Sequence, residues 1–477
     1  MLGYDVKFAT GTDEHGKKVE QSAVQLGIEP QKFVYDVSQL FRDLLPVLNI
    51  ENDDFVRTTE PRHKKAVSHF WNVLKEKGYI YLGEYSGWYD IRNEAYFAED
   101  ELVDGKSPLG GDVQLMREPC YFFKLSAFGD RLLEFYNRHP DFIWPEARKN
   151  EVVNFIKGGL KDLAISRTTF KWGIPVPNDP EHVVYVWLDA LTNYLTVNGY
   201  PDIEDQTNDK YWQNVIHFVG KEIVRFHAVY WPAFLLAADI SLPKQIVSHG
   251  WWLSEGDKMS KSIGNVQDPH KYCELFGSDA LRYFMLRELS FGSDGNFSLE
   301  GFINRYNGIL ANSYGNLCKR VMSFIQKSCN CSVRRPVNIT VEDLAFNYEV
   351  NKSLEDAMPL IEQYSLNKYL EKIEYAIAIS NQYIDHQKPW MMKETNQERM
   401  QDVLFVLIQA IYRITKFLYP VIPGAAEKLL KQINIPYELS LDPFEEVPDI
   451  ITINEPETLF PKIDVQNLGT FDVFEKN

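Results

Sequence analysis

Val215-Ile-His-Phe-Val-Gly-Lys-Glu222 is the stretch on which the reading of the fold rests. Five residues rich in β-branched and aromatic side chains stop at a glycine and a charged pair, and an amphipathic helix is then expected from about Ile223 to Ala238. That order is strand, loop, helix, and in open α/β sheets ligands gather beyond the carboxyl ends of such strands. Tyr4 to Thr10, ending at Gly11-Thr-Asp-Glu-His-Gly16, repeats the arrangement. A third strand, Gln245 to Ser248, leads into Gly256-Asp-Lys-Met-Ser-Lys-Ser-Ile-Gly-Asn265. The expectation is a parallel sheet with three strand-end loops turned toward one crevice.

In the last of these runs Lys258 and Lys261 lie three apart and supply point charges, Ser260 and Ser262 add hydroxyls, and Gly256 and Gly264 free the backbone to approach a ligand. The residues alone suit a polyphosphate, and they equally suit a solvated surface loop. In the helical run, Ile223, His227 and Trp231 fall at i, i+4 and i+8, on one face. If Val186 to Tyr194 is helical, Trp187, Ala190, Leu191 and Tyr194 share a face as well. An aromatic pocket holding one imidazole suits a thioether side chain. The same spacing also describes an ordinary core in which His227 is a satisfied buried histidine.

Length and charge bound the rest. At 477 residues the chain exceeds one ordinary domain, and 45% hydrophobic with 25% charged residues is a globular composition. A net charge of -17 excludes a general nucleic-acid coat, which needs an overall basic surface, so nucleic acid is expected only at local patches. No apolar run reaches the ~20 residues of a membrane span, and no signal-peptide pattern opens the chain. A cytoplasmic protein of bacterial type is expected, with an organellar matrix as the other compartment, and no membrane partner. Cys120, Cys273, Cys318, Cys329 and Cys331 include no C-x-x-C pair, which argues for free thiols in a reducing compartment. Cys329-Asn-Cys331 is too small a cluster to hold zinc by itself.

The texture of the chain divides it at 1–80, 81–165, 166–250, 251–303 and 304–477. Residues 81–165 carry short aromatic runs punctuated by glycine and proline, as an inserted and mostly β unit would. From about Asn304 the chain reads as helical, with Gln387-Lys-Pro-Trp390 ending one helix and an acidic, proline-containing tail after Pro436 expected to wrap back over the body. Asn316 and Arg320 lie i, i+4 on one helix face.

Lys258-Met-Ser-Lys-Ser262 matches the lysine signature of class I aminoacyl-tRNA synthetases letter for letter. With Gly11-Thr-Asp-Glu-His-Gly16, Ile165-Ser-Arg167, Tyr185-Val-Trp-Leu-Asp-Ala190, Val219-Gly-Lys-Glu-Ile223 and Phe226-His227, almost the whole chain resembles methionyl-tRNA synthetases in motif order and approximate spacing. The resemblance implies an α/β fold: a Rossmann-like parallel-sheet catalytic domain, split by a connective insert, then an α-helical-bundle anticodon-binding domain. It implies that ATP with Mg2+ activates L-methionine to an adenylate, and that tRNA(Met) then receives the methionyl group. Asp13 is implied as acceptor for the methionine ammonium and Arg167 as partner of its carboxylate. Trp187, Ala190, Tyr194, Ile223, His227 and Trp231 are implied to line the side-chain pocket. Gly220 and Glu222 are implied at the ATP ribose, where Glu222 stands in place of the family's usual aspartate. Lys261, supported by Lys258, Ser260 and Ser262, is implied at the pyrophosphate, and Asn316, Arg320 and Trp390 at the anticodon.

The chain departs from the family in one respect: the His-x-Gly-His element that precedes the Gly-Tyr-Asp run, here Gly3 to Asp5, is absent. The expectation is an N-terminally truncated chain lacking the first strand and helix of the sheet, or alternatively a non-catalytic tRNA-binding relic. The insert carries no cysteine knuckles and no structural zinc is expected. It is too short for the editing domain of the branched-chain relatives, and a monomer is expected.

Overall fold

Strand Ala9–Thr12 runs parallel to Asp54–Arg57, and a parallel pair needs a crossover rather than a hairpin. Helices Lys17–Leu26 and Pro30–Val47 supply it. The computed structural model describes residues 3–92, 95–97, 101–203, 210–260, 264–435 and 446–464. It divides into two compact units, one of Val6–Leu45 with Glu51–His249, the other of Met1–Asp5, Pro46–Ile50 and Gly250–Asn477.

In the first unit, Ile216–Gly220 lies parallel to Gln245–His249, and Ile143–Trp144 joins the far side of that strand. The expected parallel sheet is thus present in two pieces. Among the described residues Ala9–Thr12 has a ladder partner on one side only, and so has Ile216–Gly220. Parallel sheets are ordinarily covered on both faces. Ile246 and Val247 obey this at 0% exposure, whereas Phe218, on the strand Ile216–Gly220, is 57% exposed.

The insert differs from the expected mostly β unit. Strands Ile80–Asp90 and Val113–Phe123 do form a long antiparallel ladder, flanked by Ala95–Phe97 and Leu163–Ala164. Beyond Phe123, however, Gly129–Arg138 and Glu146–Lys157 are helices and Ile143–Trp144 belongs to the parallel sheet. The reason is a helical spacing in the sequence: Leu132 with Tyr136, and Val152 with Ile156, are i, i+4 pairs that form the buried side of each helix.

The second unit opens with a hairpin joining Trp252–Ser254 to Asp257–Lys258. Its two-residue turn places Glu255 at φ 51° and Gly256 at φ 90°, the doubly positive geometry of a type I′ turn, which glycine adopts without strain. The rest is mainly helical, as expected. Helix Gln397–Leu418 is apolar almost all round and buried from Val403 to Leu418, as a helix at the centre of a bundle must be. Val341–Glu362 and Leu366–Gln387 lie against each other and against it. Leu366–Gln387 ends where the sequence indicated: Lys388 turns left-handed at φ 48°, and Pro389 follows. The tail folds back, pairing Ile450–Thr452 with Ser332–Arg334 while Tyr306 Oη donates to the Pro461 carbonyl at 3.0 Å. No helix among the described residues is long and apolar enough to cross a membrane.

Candidate functional site

Past Thr12 the chain leaves its strand, and the loop Asp13–Gly16 is fixed by its inward-facing members. Glu14 is 2% exposed. Its carboxylate accepts from Arg57 Nε at 2.7 Å and Nη2 at 3.1 Å, from Thr12 Oγ1 at 2.9 Å, and from Thr59 Oγ1. His15 is 4% exposed and donates from Nδ1 to Asp189 Oδ2 at 2.6 Å. Trp172 closes the loop, its ring 5.6 Å from that of His15 and its Nε1 donating to the Glu14 carbonyl. With both neighbours turned in, Asp13 is left exposed. Desolvation first, and then the charge of Asp189, push its carboxyl up to about 6. The group is hemmed in by protein yet open to water, so solvent screening trims that shift without reversing it.

The helix expected from Ile223 to Ala238 is broken into a 3-10 turn at Lys221–Ile223, a π segment at Phe226–Tyr230 and an α-helix at Trp231–Ala237. Pro232 explains the break: it has no N–H to give the Ala228 carbonyl four residues back. That carbonyl instead accepts from the buried Tyr136 hydroxyl. Such π turns recur at functional sites because they re-aim side chains. Here the turn sets His227 with Nδ1 on the Ile223 carbonyl at 3.0 Å and Nε2 on Tyr194 Oη at 2.8 Å. A carbonyl only accepts, so Nδ1 carries the proton and Nε2 accepts from the tyrosine.

Around this pair lie Trp231, which is fully buried and donates to His217 Nε2 at 3.2 Å, and Trp187, stacked 3.8 Å from Phe226. Tyr194 stacks on His217 at 3.9 Å. The expected helix Val186 to Tyr194 is two short ones, Val186–Leu191 and Asn193–Val197, hinged where Thr192 Oγ1 donates to the Leu188 carbonyl. Ala190 is buried and Ile223 half-buried beside these aromatics.

Burial lowers His227 to about 4 and takes His217 well below its usual value. Unfolded histidines bind protons that the native ones do not between about pH 6.5 and 4, so stability falls as pH drops through that window. Thermal unfolding is therefore expected at a lower temperature near pH 5 than near pH 7, and H227Q should narrow the difference. An identical difference in H227Q would mean that His227 is not buried as a neutral ring.

Gly220 ends its strand where a Cβ would come within 2.7 Å of the Glu222 carboxylate, so only glycine lets that exposed acid lie back over the strand end. Arg167 is 2% exposed, with Nη1 donating to the Ser166 and Ala164 carbonyls at 2.6 and 3.2 Å and its guanidinium over the Tyr185 ring at 4.5 Å. Asp13, Arg167, Trp187, Ala190, Tyr194, Gly220, Glu222, Ile223, His227 and Trp231 all belong to the first unit.

The lysine loop belongs to the second unit. Lys258 is exposed, its ammonium 4.0 Å over the Trp251 ring. The backbone N–H of Ser260 donates to Asn265 Oδ1 at 2.8 Å, and that asparagine returns a bond to the Lys258 carbonyl. Lys261 and Ser262 lie outside the described residues.

Also in the second unit, Arg320, Ser323, Phe324, Lys327, Ile384, Pro389 and Trp390 line a groove of about 370 Å³. Arg320 Nη2 donates to Asp385 at 2.7 Å, and its guanidinium lies 5.8 Å from the Trp390 ring, which is 43% exposed. Asn316, one turn earlier on the same helix, is exposed but does not line the groove.

Sequence reasoning missed Phe324 and Lys327, although Arg320, Phe324 and Lys327 fall at i, i+4, i+7 and were legible as one face. It also missed Asp189 and His15, both inside quoted motifs, and His63, which no local signal marks. Among the described residues no group of three His, Cys, Asp or Glu could hold a metal ion.

A family model described as tRNA synthetases class I (M) matches residues 1–114 and 99–322, and one described as the anticodon-binding domain of tRNA ligase matches 343–467. A methionine–tRNA ligase of Rickettsia conorii is 47% identical over 474 residues, covering 97% of this chain and 93% of that protein. One from Rickettsia felis is 49% identical over 439 residues, covering 91% and 86%. Among solved structures, Mycobacterium tuberculosis methionyl-tRNA synthetase bound by methionyl-adenylate aligns with a TM-score of 0.92 at 40% identity, over 96% of this chain and 92% of that one.

Proposed function

As the chain belongs to the methionine branch of the class I tRNA synthetases, we infer that it is a methionine–tRNA ligase, joining L-methionine to tRNA through methionyl-adenylate with release of pyrophosphate. The observation that carries the choice of amino acid is the aromatic enclosure around the Tyr194–His227 pair. A neutral imidazole bonded at both nitrogens offers a polarisable thioether no unmet hydrogen bond and no charge, and the rings beside it suit sulfur.

In this reading Asp13 accepts the ammonium and Arg167 faces the carboxylate through nitrogens other than Nη1. Trp187, Ala190, Ile223 and Trp231 bound the side chain. The methionine carboxylate attacks the α-phosphorus of ATP, and the chemistry is served by placement and charge neutralisation rather than by a protein nucleophile. Gly220 and Glu222 hold the ribose, while Lys261, with Lys258, Ser260 and Ser262, neutralises the departing pyrophosphate. Magnesium comes with the ATP phosphates as its main ligands. Methionine-dependent exchange of labelled pyrophosphate into ATP tests the assignment; exchange no greater than with leucine or cysteine would sink it.

Asn316, Arg320 and Trp390 read the anticodon, with Trp390 as a stacking platform beside Arg320. Base stacking on an aromatic ring is worth about 1–3 kcal/mol. Trp390→Ala is expected to raise the KM for tRNA about tenfold or more and to leave pyrophosphate exchange unchanged. Equal loss in both assays would assign the ring to packing instead.

The reading also includes a single-chain monomer working in the cytoplasm.

A further inference from the structure

We propose that Asp189, clamped between His15 and His63, is a positioning residue that fixes the spacing between the ammonium and thioether ends of bound methionine. The proposal rests on reading Asp13 as the ammonium acceptor. Asp189 lies on Val186–Leu191, next to Ala190 and two residues from Trp187, so it moves with the pocket wall. Its Oδ2 accepts from His15 Nδ1 at 2.6 Å and its Oδ1 from His63 Nε2 at 2.8 Å. A carboxylate only accepts, so both imidazoles must present an N–H there and both tautomers are fixed.

His15 is two residues from Asp13, in a loop whose other inward side chain, Glu14, is already held by Arg57 and Thr59. His63 comes from the helix Pro61–Glu76, and its Nδ1 meets Thr196 Oγ1 at 2.9 Å on Asn193–Val197. One buried carboxylate therefore joins the loop that presents Asp13, the helix that walls the pocket, and the scaffold beneath both.

The exposures are 4% for His15, 0% for His63 and 1% for Asp189. A carboxylate this deeply buried, bonded through both oxygens, leaves the two ends of the substrate site little freedom to slide. Burial by itself would raise Asp189, but the two imidazoles outweigh it and hold the group below its usual value, so the clamp is charged. Asp13 senses that charge, which after desolvation is the largest influence raising its carboxyl. For stability alone, apolar residues of similar volume serve as well as a buried ionic cluster. A cluster that links the two halves of one substrate site is better suited to alignment.

A matched pair of ligands tests alignment separately from folding: methioninol, and the same alcohol with hydrogen in place of the amine. Their affinities are measured calorimetrically for the full chain, for D189N and for H15F. Wild type should prefer methioninol, and in both variants that preference should shrink about tenfold, while the deamino alcohol stays within about twofold. Equal weakening of both ligands, or an undiminished preference, overturns the proposal. H15F keeps a ring against Trp172 and leaves Asp189 its bond to His63, so it decides the matter if D189N does not fold. A wild type with no preference for the amine overturns the reading of Asp13, and the proposal with it.

Discussion

Asp13→Asn is expected to weaken methionine binding by about thirtyfold with little change in thermal stability. The substitution keeps size and shape and removes one negative charge, so on the proposed reading what it deletes is the counter-charge of the ammonium. Bonds between charged partners are worth about 1.5–3 kcal/mol, and the exposure of Asp13 argues against the larger values found for sealed pairs. Because the carboxyl is pushed up to about 6, its ionised fraction declines as pH falls through that value. Wild-type affinity should therefore drop between about pH 7 and 5, and D13N should show a flat profile. Calorimetric titration of both proteins across that range is the check. A D13N protein that retained the wild-type slope would transfer the ammonium role to another group.

Asp343→Ala is the substitution expected to cost most in stability, about 3–5 kcal/mol in the helical unit. Asp343 is fully buried and accepts from Arg399 Nη2 at 2.7 Å, from Arg399 Nη1 and from the Tyr383 hydroxyl. It also closes the capping box with Thr340 at the start of Val341–Glu362. Truncation leaves a guanidinium without its counter-charge, a buried phenol without its acceptor and a helix start without its reciprocal cap. Burial alone would raise the carboxyl, but these donors hold it below its ordinary value. Its contribution is present above the unfolded value near pH 4 and is lost as pH falls below it. The gap in unfolding temperature between wild type and D343A should accordingly close in acid. A constant gap would assign the loss to cavity formation rather than to charge.

How much of this was legible in the sequence depended on how far apart the partners stand. Strand, loop and helix at Ile216–Gly220, the stop at Gln387 and the helical second half all follow from spacing and turn chemistry within a few residues. The Asp13 loop, the pocket residues and the lysine loop were found as motifs. The clamp was not, because His15 and His63 meet Asp189 across 174 and 126 residues, and nothing local distinguishes such histidines from surface ones. The break at Phe226–Tyr230 was available in principle, since Pro232 stands four residues after Ala228. Contiguity in sequence is likewise no guide to the second unit, for the same reason of distance. Residues Pro46–Ile50 join the helical unit, where Arg282 donates to the Leu48 and Asn49 carbonyls more than two hundred positions later.

The returning tail also bears on how the protein is made. Ser332–Arg334 finds its partner strand only at Ile450–Thr452, and Tyr306 and Asn307 bond to Pro461 and Ile463. During synthesis these groups leave the ribosome long before the residues that cover them. The helical unit must wait, its seam open to chaperones and proteases, until residues 450–464 have been made. A message cut short before that point yields a chain with an unpaired strand and uncovered core, which cellular surveillance can recognise without testing any activity.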